Sequence, residues 1–113
     1  MIREIIAYGD QYQEFMNGLS AVERNKILMA LLLFTDNERI PAHYIKHLED
    51  GIYEFRVTYI ISNEFRIMFT YDGNKLVVLF NAFRKKTQKT PREEILKAKK
   101  LRDNYFKEKE AEQ

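Results

Sequence analysis

The chain has no cysteine and only four glycines among its 113 residues. Without cysteine there is no disulfide framework, no thiolate nucleophile and no cysteine-ligated metal site. The scattered glycines do not form a glycine-rich phosphate loop. The longest apolar run, Ile27 to Phe34, has eight residues, whereas a membrane span needs roughly 20. Because charged residues follow Met1 closely, no secretory signal is expected and we predict a cytoplasmic protein.

The composition is that of an ordinary globular domain. Hydrophobic residues make up 45% of the chain and charged residues 32%, which argues against a disordered or fibrous protein. The length suits one domain, residues 1–113, with one core. We expect the charged tail from Lys107 onward to fray. His43 and His47 lie outside any helical metal-binding pattern, so we expect neither a metal nor another cofactor.

The first third of the chain predicts a strand and two helices. The strand covers residues 3–8, and Asp10 is a candidate cap for a helix that ends near Asn17. Ser20 and Glu23 form a capping-box pattern that opens a second helix, residues 21 to about 35. That helix is apolar nearly all round, so it is either central to the core or half covered by a partner.

The middle of the chain alternates polar and apolar residues, as β-strands do. We expect strands near residues 44–48, 53–59, 64–71 and 76–83, joined as antiparallel hairpins. A two-residue turn at Gly73-Asn74 pairs Tyr71 with Leu76 and places Leu76, Val78, Phe80 and Ala82 on the core face. An odd-length connection near Ser62 is needed in the preceding hairpin. One exposed face of the sheet then carries Arg56, Arg66, Asn81, Phe83 and Lys85.

The end of the chain predicts a third helix, residues 91 to about 106. Thr90-Pro91-Arg92-Glu93 combines an N-cap threonine, a proline at the first helical position and a capping-box glutamate. The sequence therefore indicates an α+β domain, in which a small, mainly antiparallel sheet of four or five strands packs against two N-terminal helices and one C-terminal helix.

Positive charge is concentrated just before this last helix. Residues 84–92 contain five basic residues and no acidic one, a local excess that attracts polyanions. Arginine and lysine bind phosphate directly, and an aromatic side chain such as Phe83 offers a stacking surface for a base. The alternatives are an ordinary solvated face, and cross-strand pairing of Arg56 and Arg66 with Glu54 and Glu64.

Several of these segments together resemble a known family. They are Lys46-x-Leu48, Gly51-Ile52-Tyr53-Glu54-Phe55-Arg56, Phe65-Arg66-Ile67 and the block from Phe83 to Pro91. In this order they are similar to the phage-type HigB branch of the RelE/ParE toxin superfamily, over about residues 43–105. The resemblance implies a RelE/ParE-like fold and the toxin of a type II toxin–antitoxin pair, an mRNA endonuclease that acts in the ribosomal A site and arrests translation.

The resemblance also implies roles for individual residues. Arg56 and Arg66 stabilise the charge of the phosphorane that forms when the messenger's own 2′-hydroxyl attacks, and Lys85 holds the phosphate or protonates the leaving oxygen. The remaining positions bind RNA: Lys46, Phe83, Arg84, Lys86 and Lys89. No residue is an obvious general base, although His47, Glu54 and Lys85 are candidates.

The same resemblance implies the partners. They are the ribosome with its mRNA, and a HigA-like helix-turn-helix antitoxin through which operator DNA is bound, with no membrane involved. Two other functions stay open on the sequence. One is a ParE-like toxin that binds a protein target such as DNA gyrase, and the other is an inactive relative that only binds an antitoxin.

Overall fold

The structure is a computed structural model that describes residues 1–60, 63–86 and 89–112. In these ranges it contains a five-stranded sheet and three α-helices, which confirms the predicted α+β class. The elements in chain order are β1 (Glu4–Ala7), α1 (Gln11–Asn17), α2 (Ala21–Asp36), β2 (Ile45–Glu49), β3 (Ile52–Ile60), β4 (Asn63–Asp72), β5 (Leu76–Arg84) and α3 (Arg92–Ala111). No helix in the described ranges has the length and apolar character that crossing a membrane requires.

The strands lie in the order β1-β5-β4-β3-β2. The three hairpin pairs are antiparallel, as the short connections predict, whereas β1 runs parallel to β5 with Glu4 opposite Leu76. A parallel neighbour needs a long crossover, which here comprises both N-terminal helices and the other three strands. The first strand of the chain therefore completes the edge of the sheet beside the last.

The helices α1 and α2 cover one face of the sheet. The predicted capping box of α2 is confirmed, because the Ser20 hydroxyl accepts from the Glu23 N–H while the Glu23 carboxylate accepts from the Ser20 N–H. The predicted cap of α1 is wrong, since the Asp10 side chain makes no capping hydrogen bond. Asp10 has helical rather than extended backbone angles, and a side-chain cap needs the extended conformation.

One side of α2 packs on the sheet and the other side is exposed. Ile27 and Phe34 are buried, and the Phe34 ring stacks on Phe55 with centroids 5.4 Å apart. Leu28 and Leu32, on the opposite side, remain about half exposed, at 52% and 53%. A position at the centre of the core is therefore excluded for α2.

The turn between β4 and β5 corrects the predicted register. Three residues, 73–75, connect the strands instead of two, with Gly73 at a positive φ of 76°. Tyr71 therefore pairs with Val77 rather than Leu76. A three-residue loop with a left-handed residue is a common hairpin connection, and its extra residue moves the following side chains to the other face. The residues thus misassigned to the core face beneath α1 and α2 are Leu76, Val78 and Phe80.

A bulge opposite Met68 restores the predicted faces at the end of β5. The pairing shifts by one residue between Ile67 and Phe69, so Arg66 lies opposite Phe83 and Ile67 opposite Ala82. Ala82 thus packs against the core beneath α1 and α2, as predicted. A second bulge, between Thr58 and Ile60, shifts the pairing of β3 with β4 by one residue. This is the shift that we expected from an odd-length connection near Ser62, and it places Arg56 opposite Arg66. Residues 61–62 themselves lie outside the described ranges.

The second face of the sheet is covered by α3 rather than exposed. Ile95 and Ala98 of α3 pack with Met68 and Phe80 in a second core cluster. The prediction that this face of the sheet, with Arg56 and Arg66, is exposed is therefore wrong, because α3 packs its own apolar residues against it. The helix continues to Ala111, beyond Lys107 where we expect fraying, and Lys109 pairs with Asp72 at 2.6 Å. Fraying in solution stays a prediction.

Candidate functional site

A buried carboxylate, that of Glu54, is bound by residues from three parts of the chain. Its Oε1 accepts hydrogen bonds from Nε of Arg56, at 3.1 Å, and from Nη1 of Arg66. Its Oε2 accepts from the Thr90 hydroxyl at 2.7 Å. Glu54 and Arg56 are two residues apart on β3, so their side chains lie on the same face of the sheet. Arg66 lies directly opposite Arg56 on β4, which brings its side chain to that face as well. Glu54 has no exposed surface.

Arg66 contacts a second carboxylate on its other side. Its Nε and Nη2 each lie 2.5 Å from Oε1 of Glu64. The other carboxylate oxygen, Oε2, is 3.8 Å from Nζ of Lys85. The Lys85 backbone N–H also donates to the Glu64 carbonyl at 2.8 Å. This hydrogen bond fixes Lys85, which directly follows β5, against β4. Arg66 is 4% exposed.

Two neighbouring pockets open beside this network. The larger has a volume of about 350 Å³ and the smaller about 200 Å³, and both are bordered by Lys89 and Thr90. Glu93 and Glu94 supply the acidic residues of the larger pocket. Its basic lining residues are Arg66, Arg84, Lys85, Lys86 and Lys89. The smaller pocket is bordered by Lys46, Arg56 and Glu49. Together they form a basic cleft between the sheet and the start of α3.

The cleft brings together seven of the eight predicted side chains. Arg56, Arg66, Lys85, Lys46, Phe83, Lys86 and Lys89 all border it. The eighth residue, Arg84, contributes atoms to the border, but its guanidinium lies on the other face of the sheet. It pairs with Glu23 of α2 at 3.0 Å and lies 4.9 Å from the centre of the Phe65 ring. Thr87 and Gln88, part of the same motif, lie outside the described residues.

The ion pairs that we considered as the alternative for both arginines are present. They differ from the exposed pairs expected, because Arg66 and Glu54 are buried beneath α3 and the segment before it. The Glu-x-Arg pattern that recurs in β3 and β4 indicated these ion pairs in the sequence. His47, a candidate base, is excluded from the cleft, since its ring packs 4.8 Å from Tyr53, whose side chain contacts the core beneath α1 and α2.

Thr90 has a different role from the predicted one. The residue before α3 that holds the N-cap position is Pro91, and no side chain caps the helix. The Thr90 hydroxyl instead donates to Glu54, because a buried carboxylate gains more from a donor than an exposed helix end does. Sequence reasoning assigned this hydroxyl to the helix and so missed its part in the cleft.

Hydrogen-bond donors lower the pKa of two carboxylates, Glu49 at the rim of the cleft and Glu23 on the opposite face of the sheet. Hydrogen bonds from Lys99 and Arg92 lower the pKa of Glu49. On the opposite face, the Ser20 backbone N–H and the Arg84 side chain lower the pKa of Glu23. Both carboxylates therefore stay charged at neutral pH and hold their cations in place.

We expect Thr90→Val to destabilise the protein by about 2 kcal/mol, because it removes a hydrogen bond to a buried charged group. Thr90→Ser keeps the hydroxyl and is the matched control, with a melting temperature near that of the wild type. Urea unfolding of the three proteins measures the difference. A loss of stability in the serine variant but not in the valine variant would show that the methyl group, and not the hydrogen bond, stabilises this segment.

Comparison with known proteins identifies the family. The model of the family described as phage-derived protein Gp49-like (DUF891) matches residues 14–103, which include every residue of the Glu54 network. No curated protein matches the chain. Since the matched segment covers most of its length, the chain belongs to the phage-derived Gp49-like family, a toxin-like family associated with the toxins of toxin–antitoxin pairs.

Proposed function

We propose that this protein is the toxin of a type II toxin–antitoxin pair and an mRNA endonuclease of the HigB type that works on the ribosome. The observation that supports this most is the convergence of Arg56, Arg66 and Lys85, three residues from three strands or strand ends, beside one basic cleft. The family of the chain is toxin-like, and the cleft has the residue types that bind and stabilise phosphate.

In this proposal the messenger supplies its own nucleophile. The 2′-hydroxyl oxygen forms a bond to the adjacent phosphorus, the bond from phosphorus to the 5′-oxygen breaks, and a 2′,3′-cyclic phosphate remains. The guanidinium groups of Arg56 and Arg66 stabilise the added negative charge on the pentacovalent phosphorus. Lys85 donates the proton that the leaving 5′-oxygen takes up. Such electrostatic stabilisation needs no metal for its charge.

Glu54 holds the two arginines instead of transferring a proton. Its two oxygens accept three hydrogen bonds from Arg56, Arg66 and Thr90, so it has little remaining capacity to act as a base. In the proposal the 2′-hydroxyl proton passes to a group of the ribosome or the messenger. Activity then depends on the ribosome, which completes the site.

The outer residues of the cleft bind RNA. Lys86 and Lys89 are exposed in the segment between β5 and α3, and Lys46 is exposed on β2. At these positions each lysine can contact a backbone phosphate. Phe83 borders the larger pocket and is partly buried against the second core cluster. In this proposal the part of its ring that faces the pocket is a stacking surface for a base.

The partners in this proposal are the ribosome and a HigA-like helix-turn-helix antitoxin, through which the complex binds operator DNA. The exposed apolar side of α2, with Leu28, Met29 and Leu32, lies beside a groove of about 280 Å³ next to β1. We propose that the antitoxin or a second copy of the chain covers this side.

The experiment is induced expression without the antitoxin, with 5′-end mapping of cellular mRNA within minutes. We expect new ends inside translated codons, and about 100-fold fewer of them for Lys85→Ala, because one group that stabilises the transition state is typically worth that much. Lys85 is partly exposed, so its loss leaves the fold intact. Lys100→Ala, which removes an exposed lysine of α3 away from the cleft, is the matched control.

Other outcomes would replace the proposal. Growth arrest with intact messages and induced DNA-damage signalling would support a ParE-like toxin that binds gyrase. The absence of arrest, with folded protein present, would support an inactive relative that only binds its antitoxin.

A further inference from the structure

Two of the three cations proposed to act at the scissile phosphate, Arg66 and Lys85, already hold an anion of the protein. Glu64 places Oε1 at 2.5 Å from two nitrogens of Arg66 and Oε2 at 3.8 Å from Nζ of Lys85. Its carboxylate therefore lies between the groups that would hold a phosphate. Carboxylates and phosphates bind arginine in the same way, through parallel N–H donors of the guanidinium plane.

The edge of Arg66 that presents two parallel N–H donors, Nε and Nη2, is occupied by Glu64. Its Nη1 donates to Glu54, and its Nε and Nη2 are taken by Glu64. For Arg66 to bind a phosphate through this edge, the carboxylate of Glu64 has to leave. Displacing Glu54 would strip a fully buried charge of its donors, which is costly.

Glu64 is the carboxylate that can leave. It is 26% exposed, so its charge can be transferred to water at a small cost. It stands at the second position of β4, beside the end of the hairpin. A change of its side-chain rotamer frees the Arg66 edge and the Lys85 ammonium together, without a change in the backbone pairing of Arg66 with Arg56.

We infer that Glu64 occupies the phosphate position in the free protein and is displaced by the RNA phosphate. This inference rests on the proposed function, because it places Arg66 and Lys85 beside the scissile phosphate. Glu64 thereby disfavours the binding of anions that make few other contacts with the protein. A short RNA with few contacts competes poorly with it, whereas a message held by the ribosome and by the outer lysines of the cleft displaces it.

The test compares RNA binding by purified wild-type protein and Glu64→Gln. The probe is a short single-stranded 2′-O-methyl RNA, which lacks the attacking hydroxyl and is not cleaved. Fluorescence anisotropy at low salt measures its affinity. We expect Glu64→Gln to bind about tenfold more tightly, because it loses a competing charge-assisted interaction of that size. Glu64→Ala is a second variant that removes the side chain, and we expect it to bind at least as tightly.

Glu93→Gln is the matched control. Glu93 borders the same pocket, and among the described residues it pairs with neither Arg66 nor Lys85. Its substitution changes the net charge by the same amount, so it measures the general electrostatic effect, which we expect to be about twofold. Equal gains for the Glu64 and Glu93 variants would overturn the inference.

Two further results separate this inference from the proposed function. Loss of mRNA cleavage in Glu64→Gln, with wild-type melting temperature, would overturn the inference by making Glu64 a participant in proton transfer. Wild-type mRNA cleavage by Lys85→Ala would instead contradict the proposed function, whatever the RNA affinity of the Glu64 variants. Retained cleavage in Glu64→Gln together with tighter binding supports both.

Discussion

Arg66→Lys is expected to abolish growth arrest in a protein that remains folded. Lysine keeps the positive charge beside Glu54, so the buried carboxylate is not left without a cation. It loses the planar fork with which Arg66 donates to Glu54 and Glu64 at the same time, and a point charge does not replace that geometry on a phosphate. We expect mRNA cleavage in a purified translation system to fall by about 100-fold or more.

Arg24→Lys is the control for this substitution. Arg24 is a partly buried arginine of α2 that donates to the Leu19 carbonyl and lies away from the cleft. The same chemical change there is expected to leave cleavage unchanged. Full cleavage by Arg66→Lys would show that a single positive charge is sufficient, and the proposed role of the guanidinium would be wrong. Arg66→Ala is less informative, since it also leaves Glu54 and Glu64 short of a partner.

Glu54→Ala is expected to cause the largest loss of stability. The substitution leaves Arg66, which is 4% exposed, with Glu64 alone, and removes the acceptor of the Thr90 hydroxyl. Breaking a buried ion pair by removing one partner costs about 3 kcal/mol or more, a large part of the roughly 5–15 kcal/mol that stabilises a typical domain. Denaturant unfolding followed by circular dichroism measures the change.

Glu49→Ala is the matched control for the loss of a carboxylate. Glu49 also pairs with two cations, Arg92 and Lys99, but at the protein surface. Water can replace these partners, so we expect a much smaller change in the free energy of unfolding. If the two variants lose the same stability, the buried network at Glu54 contributes no more than a surface cluster.

The fold was largely predictable because its strands alternate clearly and its turns are short. The faces of β3 and β4 followed from the spacing of Phe55, Val57, Phe65 and Ile67, all of which are buried beneath α1 and α2. The middle of β5 did not follow. Its residues from Leu76 to Phe80 are apolar on both faces, so the pattern could not reveal that the turn has three residues instead of two.

The residues of the cleft were identifiable, but their environment was not. Sequence alternation placed Arg56 and Arg66 on one face, while nothing local showed that α3 packs against that face. The interaction of Thr90 with Glu54 joins residues that are 36 positions apart, and a local capping pattern offered a simpler use for the hydroxyl. The pairings that set the chemistry of this cleft are long-range, and they depend on the packing of α3 onto the finished sheet.

The parallel pairing of β1 with β5 has a consequence for how the protein is made. Residues 4–7 cannot find their neighbour until residues 76–79 have been synthesised, and such long-range contacts slow folding because a large loop must close first. Arg56, Arg66, Lys85 and Thr90 likewise meet only after the segment before α3 has left the ribosome. A nascent copy of this chain is therefore expected to be inactive while it is being translated.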